Sequence, residues 1–202
     1  MNCKIGRISS IINMVAVVGF ALCIVLGSNY GSYLVCMFIS FSFVPMMAAF
    51  CSYCKDETKV AGYSAMIFGG IYSVFILAVY FAQVTSVVND DLNNSALQIL
   101  DYQKFGLLFN YDLLGYGIMA LATFFIGLTI EGRTKADQWL KWLLLIHGIF
   151  FLACLTIPML GLFNNDMVGG EWIGKMVLFF WCVYFTPIGL LSYIYFNKKS
   201  IE

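Results

Sequence analysis

Charge is what this sequence has least of. Asp, Glu, Lys and Arg make up 11% of its 202 residues, and eleven acids balance eleven bases. A soluble domain carries roughly 25% charged residues. Net charge is zero, and no nucleic-acid partner is expected. No polar stretch approaches the roughly 50 residues that an independent soluble domain needs. Histidine occurs once, at His147. That excludes a His cluster for zinc and bis-His haem ligation within the chain, so neither a metal nor a cofactor is expected. Motifs of the forms GxxxxGK[ST], GxGxxG and HExxH are missing as well. Transport, if it occurs, is then gradient-driven, facilitated or powered by a partner, and an enzyme is the less favoured expectation.

The seven cysteines, Cys3, Cys23, Cys36, Cys51, Cys54, Cys154 and Cys182, are odd in number and scattered, which argues against a disulfide framework. Most lie in apolar runs, where a free Cys behaves as a small hydrophobe. Cys51-Ser52-Tyr53-Cys54 has the spacing of a redox dithiol or half a zinc site, but no second pair lies nearby.

What is present is apolar. Hydrophobic residues reach 61%, and mean hydropathy is +0.87. The expected class is an all-α, polytopic membrane protein in a single domain, with the lipid bilayer as its first partner. Six segments are long enough to span: 8–27, 33–53, 60–84, 105–130, 139–163 and 172–196. The first has the length of a span rather than of a cleaved signal segment. Nine basic residues (Lys4, Arg7, Lys55, Lys59, Arg133, Lys135, Lys141, Lys198 and Lys199) fall on one side of this arrangement. Only Lys104 and Lys175 fall on the other. The positive-inside rule therefore puts both termini in the cytoplasm. Tyr30, Tyr33 and Trp172 mark the outer edge, and Tyr53, Trp139, Trp142, Tyr193 and Tyr195 the inner one. The one long connection, 85–104, is external. Its Asp90-Asp91-Leu92-Asn93-Asn94-Ser95 turn leads into a short interfacial helix, as a solvated connector or as a lid.

Helix faces carry further information. Ser9, Asn13, Ala16, Phe20 and Cys23 share a face of span 1, where Asn13 is expected to bond another helix. Ala65, Gly69 and Ser73 form a small-xxx-small series in span 3, a close-packing face. Pro45, Pro158 and Pro187 interrupt spans 2, 5 and 6. Val44–Phe50 and Ile157–Phe163 are similar around their prolines, which leaves open an inverted repeat or a coincidence of common membrane residues.

Asp112 is the residue to explain. It lies in Phe109-Asn110-Tyr111-Asp112-Leu113-Leu114-Gly115-Tyr116-Gly117, inside an apolar span. An acid at membrane depth is costly, so it marks either a site or a satisfied structural acid. The functional reading places a small-molecule or ion ligand in an outer-half cavity between spans 3, 4 and 6. Asp112 would contact it, with Asn110, Tyr116, Gln83 and Lys175 beside it. His147, counted at 1.5 Å per residue, falls ~14 Å from Asp112 along the membrane normal, a second station of a proton path or a packing residue. A non-transport factor for assembly, immunity or sensing is the alternative function. Least supported is an intramembrane enzyme: Gly62-Tyr63-Ser64-Ala65 resembles the GxSG of rhomboid proteases but departs in its fourth residue and in helix position.

Taken whole, the chain resembles small six-helix bacterial integral membrane proteins of unassigned function. The carrying segments are Phe105–Gly117 and Trp139–Gly148. The resemblance implies a multi-pass protein of a bacterial plasma membrane, and no activity. Helix count alone is similar to that of the vitamin-binding subunits of energy-coupling uptake systems, an analogy of fold.

Overall fold

The computed structural model describes residues 1–89, 91–163 and 170–200, and is all-helical with no strand among them. Asp90 of the predicted turn lies outside the described residues. Six helical stretches are long and apolar enough to cross a membrane. The α-helices in chain order are α1 (Asn2–Leu26), α2 (Asn29–Cys51), α3 (Lys59–Val84), α4 (Ser86–Asn89), α5 (Asn94–Leu100), α6 (Leu107–Thr129), α7 (Lys135–His147), α8 (Phe150–Met159) and α9 (Gly170–Lys198). Short 3-10 turns at Asp56–Thr58 and Tyr102–Lys104 complete the list.

The helices form a closed ring in which chain neighbours are also spatial neighbours. α1 packs on α2, α2 on α3, α3 on α6, α6 on α7 and α8, α7 on α9, and α9 returns to α1. Short turns make this possible. Gly27 ends α1 in the left-handed region (φ 69°), which costs glycine nothing. Ser28 then caps α2 by accepting from the Gly31 N–H. A Thr134–Asp137 capping box opens α7. Asn93 caps α5 by accepting from Ala96 N–H at 2.9 Å, at the position of the expected interfacial helix.

Large apolar side chains face outward as well as inward, and polar residues join the interior. On α1 the buried residues include Ser9, Ser10 and Asn13, while Ile8, Ile12, Val15 and Leu22 are exposed. A face of branched aliphatics turned outward, with small and polar residues turned inward, fits lipid as the surrounding solvent. The inward polar groups tie the ring together. Asn13 donates to Ile39 O at 3.1 Å and Ser42 Oγ at 3.0 Å on α2, the interhelical role expected of it. Ser40 Oγ donates to Ser73 Oγ at 2.8 Å, linking α2 to α3, and Gly69 lies against Phe43 and Met47.

The half of the ring that holds the termini buries many large side chains. Phe43, Met46, Phe50, Ile126, Leu144, Phe185, Ile188 and Phe196 are all buried there. Gly6 and Gly189 let α1 and α9 touch: a Cβ at Gly6 would lie 2.6 Å from the Phe196 ring, and one at Gly189 2.8 Å from Met14 Cβ. Polar contacts join the helices at this end. Cys3 Sγ and Tyr53 hydroxyl are 2.6 Å apart, Arg7 donates to Asn197 Oδ1 at 3.1 Å, and Lys198 bridges to Asp137 at 3.1 Å. Lys55 pairs with Glu131, which also receives Arg133.

The opposite half is different, and span 5 shows why. It was expected as one helix over 139–163. It is instead broken after His147, where Gly148 N–H bonds Leu145 O and Ile149 N–H bonds Ile146 O three residues back. Gly148 favours such a break, and it presses against Phe124: a Cβ there would sit 2.9 Å from Phe124 Cβ. No residue of α8 is fully buried, nor is any of residues 172–180 of α9. The similar segments around Pro45 and Pro158 also diverge. α2 continues past Pro45 to Cys51, whereas α8 stops at Met159 and Gly161 turns left-handed. Loose packing in this half leaves room for a cavity.

Candidate functional site

The cavity holds about 730 Å³ and lies in the half of the bundle away from the termini. Its walls come from the end of α1 (Phe20, Cys23), the start of α2 (Ser32, Tyr33), α6 (Phe109, Asp112, Tyr116), α8 (Phe150, Cys154) and α9 (Lys175, Trp181). From α3 it takes Tyr80. The cavity thus touches spans 3, 4 and 6, where the site was expected, and takes further walls from spans 1, 2 and 5.

Asp112 is 1% exposed and lines this space. Its Oδ2 accepts from the Tyr102 hydroxyl at 3.3 Å, and Oδ1 has no hydrogen-bond partner among the described residues. The Tyr80 hydroxyl adjoins the same carboxyl. No Lys or Arg among the described residues forms an ion pair with it. An unmatched, water-excluded carboxylate oxygen is uncommon in a folded protein and calls for an explanation.

Tyr102 reaches Asp112 from outside the span. The reason lies in Gln83, at the end of α3. Gln83 Nε2 donates to Leu100 O at 2.7 Å, and its Oε1 accepts from Tyr102 N–H at 3.0 Å. The amide replaces a missing turn of backbone bonding and pins the connection over the cavity. Gly106 lets that connection fold back, since a Cβ there would meet Gln98 O at 2.0 Å. The Tyr102 ring keeps some surface exposed, but its hydroxyl points inward. Withdrawal from water, and next the Asp112 charge, hold this phenol well above its ordinary pKa, so it serves as a donor.

Aromatic rings form most of the remaining wall. Tyr33 stacks on Tyr80 at 5.6 Å and meets Tyr102 edge-on at 5.8 Å. Phe105, Phe109 and Phe163 form a second cluster with centroids 5.0–5.8 Å apart. Phe105 holds φ 50°, a strained conformation for a bulky residue that its ring contacts help to offset. Tyr116 packs edge-on to Trp181 at 5.3 Å, and Trp181 stacks on Phe185 at 5.0 Å to form the floor.

His147 belongs to that floor. Trp181 Nε1 donates to His147 Nε2 at 3.0 Å, and His147 Nδ1 lies 2.7 Å from Thr123 Oγ1. Thr123 spends its own proton on Ala120 O at 2.8 Å. An indole N–H only donates, so Nε2 is the acceptor and Nδ1 carries the hydrogen. Both ring nitrogens are taken by Trp181 and Thr123.

The expected site residues divide accordingly. Asp112, Tyr116, Lys175 and His147 line the cavity; Asn110 and Gln83 do not. Asn110 is two residues from Asp112, so it points about 200° round the helix, given 100° per residue. Gln83 is consumed in holding the connection. Tyr116 presents its ring, because its hydroxyl bonds Cys36 Sγ at 3.6 Å. Asp112 and His147 share one cavity, as wall and floor, with no hydrogen bond between them.

Two residues were not anticipated. Trp181 had a readable signal: a mid-span indole needs an acceptor, and the lone histidine offers one. Tyr102 had none, because its approach depends on the Gln83 clamp. Among the described residues no cluster of His, Cys, Asp or Glu could hold a metal. Comparison with protein-family models, curated proteins and solved structures finds no match to this chain.

Proposed function

We propose that this membrane protein binds a small solute in the cavity beside Asp112, as a transporter or as the membrane-embedded binding subunit of one. Both termini face the cytoplasm in this reading, following the basic residues at their end. The solute enters from the opposite face. One observation carries the proposal: a buried carboxyl, with one oxygen lacking a hydrogen-bond partner among the described residues, borders a cavity of about 730 Å³. Ligand sites typically occupy roughly 300–1,000 Å³ and combine apolar walls with a few placed polar groups. The Lys55–Glu131 and Lys198–Asp137 pairs lie at the terminal end, and none of these residues lines the cavity.

The test is a thermal-shift screen of purified protein against a panel of metabolites and ions. A ligand at 100 times its Kd stabilises the folded state by about 2.7 kcal/mol. Asp112→Asn keeps the side-chain shape and is expected to fold while losing that stabilisation. Undiminished binding by the folded variant would remove the site.

A further inference from the structure

We infer that the ligand is an organic monocation: a protonated amine on an aromatic or otherwise apolar body. This rests on the solute-binding reading and specifies its chemistry.

Three observations converge. Among the described residues Asp112 Oδ1 has no hydrogen-bond partner within 3.5 Å, although the Tyr80 hydroxyl adjoins the carboxyl, while Oδ2 accepts from Tyr102. The described residues supply this carboxylate with hydroxyl neighbours and no paired cation. An ammonium N–H supplies the missing donor and the missing charge together, and charge-assisted hydrogen bonds are the strong ones. A neutral ligand would provide only the first, and an anion would meet like charge.

Next, the groups around the acid are aromatic. Tyr33, Tyr102, Tyr116 and Trp181 all border the cavity. A cation within about 6 Å of such a ring face is attracted by the ring quadrupole, most strongly in a desolvated site. Tyr116 sits one helical turn from Asp112, and Trp181 meets it at 5.3 Å. A charge held by Asp112 is therefore flanked by rings.

Finally, the rest of the wall suits an apolar body. Phe105, Phe109, Phe150 and Phe163 line the cavity and offer contact surface to such a body. Lys175 also borders the cavity, six residues before Trp181, or ~9 Å along α9 by helical rise. A zwitterion is consequently a necessary competitor in the test.

The experiment measures binding of four indoles to the wild-type protein in lipid nanodiscs by calorimetry. Tryptamine is the cation, tryptophol the neutral analogue, indole-3-propionate the anion and tryptophan the zwitterion. Tryptamine is expected to bind about tenfold or more tighter than each of the others, a difference of about 1.4 kcal/mol. Asp112→Asn should reduce tryptamine binding by a similar factor and leave tryptophol unchanged. The wild-type series stands by itself should the variant not fold. Equal binding of tryptophol, or tighter binding of tryptophan or the propionate, overturns the cation assignment. If no indole binds but the broad screen returns a neutral or anionic ligand that requires Asp112, this inference fails and the solute-binding reading survives. If no ligand of any class depends on Asp112, both fall.

Discussion

The indole N–H of Trp181 donates to Nε2 of His147 at 3.0 Å, and that single bond decides where the imidazole proton sits. Nδ1 carries it and donates to Thr123 Oγ1 at 2.7 Å. His147 is thus a fully bonded, neutral member of the cavity floor, packed edge-on against Phe185 at 5.1 Å. Because the chain has one histidine, its nitrogen NMR spectrum reports this site alone. The expected spectrum is that of the Nδ1–H tautomer. Trp181→Phe should destabilise the protein by about 1–3 kcal/mol, the cost of a buried acceptor left without its donor. A mixed-tautomer spectrum in the wild type would refute the arrangement.

Gln83 is expected to act on the cavity at one remove. Gln83→Leu leaves Leu100 C=O and Tyr102 N–H without the side-chain partners they now have. Each loss costs about 1–3 kcal/mol where the group stays buried. Hydrogen exchange across residues 94–104 should accelerate, while α2 and α3 keep their protection. Ligand affinity should also fall, since Tyr102 would no longer be held against Asp112.

Ring closure depends on small residues where α1 meets α9. Gly189→Val puts a branched side chain where even a Cβ lies 2.8 Å from Met14 Cβ and 3.2 Å from its Cα. Overpacking of this kind costs about 1–3 kcal/mol and should lower the melting temperature. Gly70 is the control, because a Cβ there meets nothing within 4 Å. Gly70→Ala should stabilise α3 by about 0.5–1 kcal/mol through backbone entropy.

Acid should loosen the terminal end first. Hydrogen bonds and charge from Lys55, then Arg133, hold the Glu131 carboxyl below its ordinary value, and the same pair holds Lys55 above its own. A depressed carboxyl contributes stability above the unfolded value of about 4.3, and loses it as pH falls through the native value. Lys55 gives the mirror case, contributing below about 10.4 and losing it at higher pH. Both groups are solvent-exposed, so the effect is small and screened by salt. Melting curves below pH 5 should show a weaker acid dependence for Glu131→Gln than for wild type, and the difference should shrink in high salt.

The class of structure was legible in the chain because one rule governs it. Backbone groups in lipid must bond within their own segment, so apolar runs of about 20 residues become helices. Five spans fall within a few residues of their expected limits. The first extends back to Asn2, because its polar opening turns also adopt helical geometry. Asn13 and the small face of α3 were legible for a similar reason: a polar or tiny residue in an apolar run has few uses besides meeting another helix. The break at Gly148 was not, since a lone glycine is often tolerated within a helix.

The amino-acid sequence determined that this is a six-span helical protein and that Asp112 sits where a carboxyl is expensive. Hydropathy and residue depth are local properties, readable one segment at a time. Tertiary structure alone decided which residues surround that carboxyl. Gln83 became a clamp, Tyr102 a donor to Asp112, and Trp181 the partner of His147, through contacts between residues 10 to 34 positions apart in the chain. The open half of α9 and the broken span 5 then turned a buried acid into the wall of a cavity. Those outcomes follow from the rotation of each helix within the ring, which is set by packing against its neighbours and is written in no single segment.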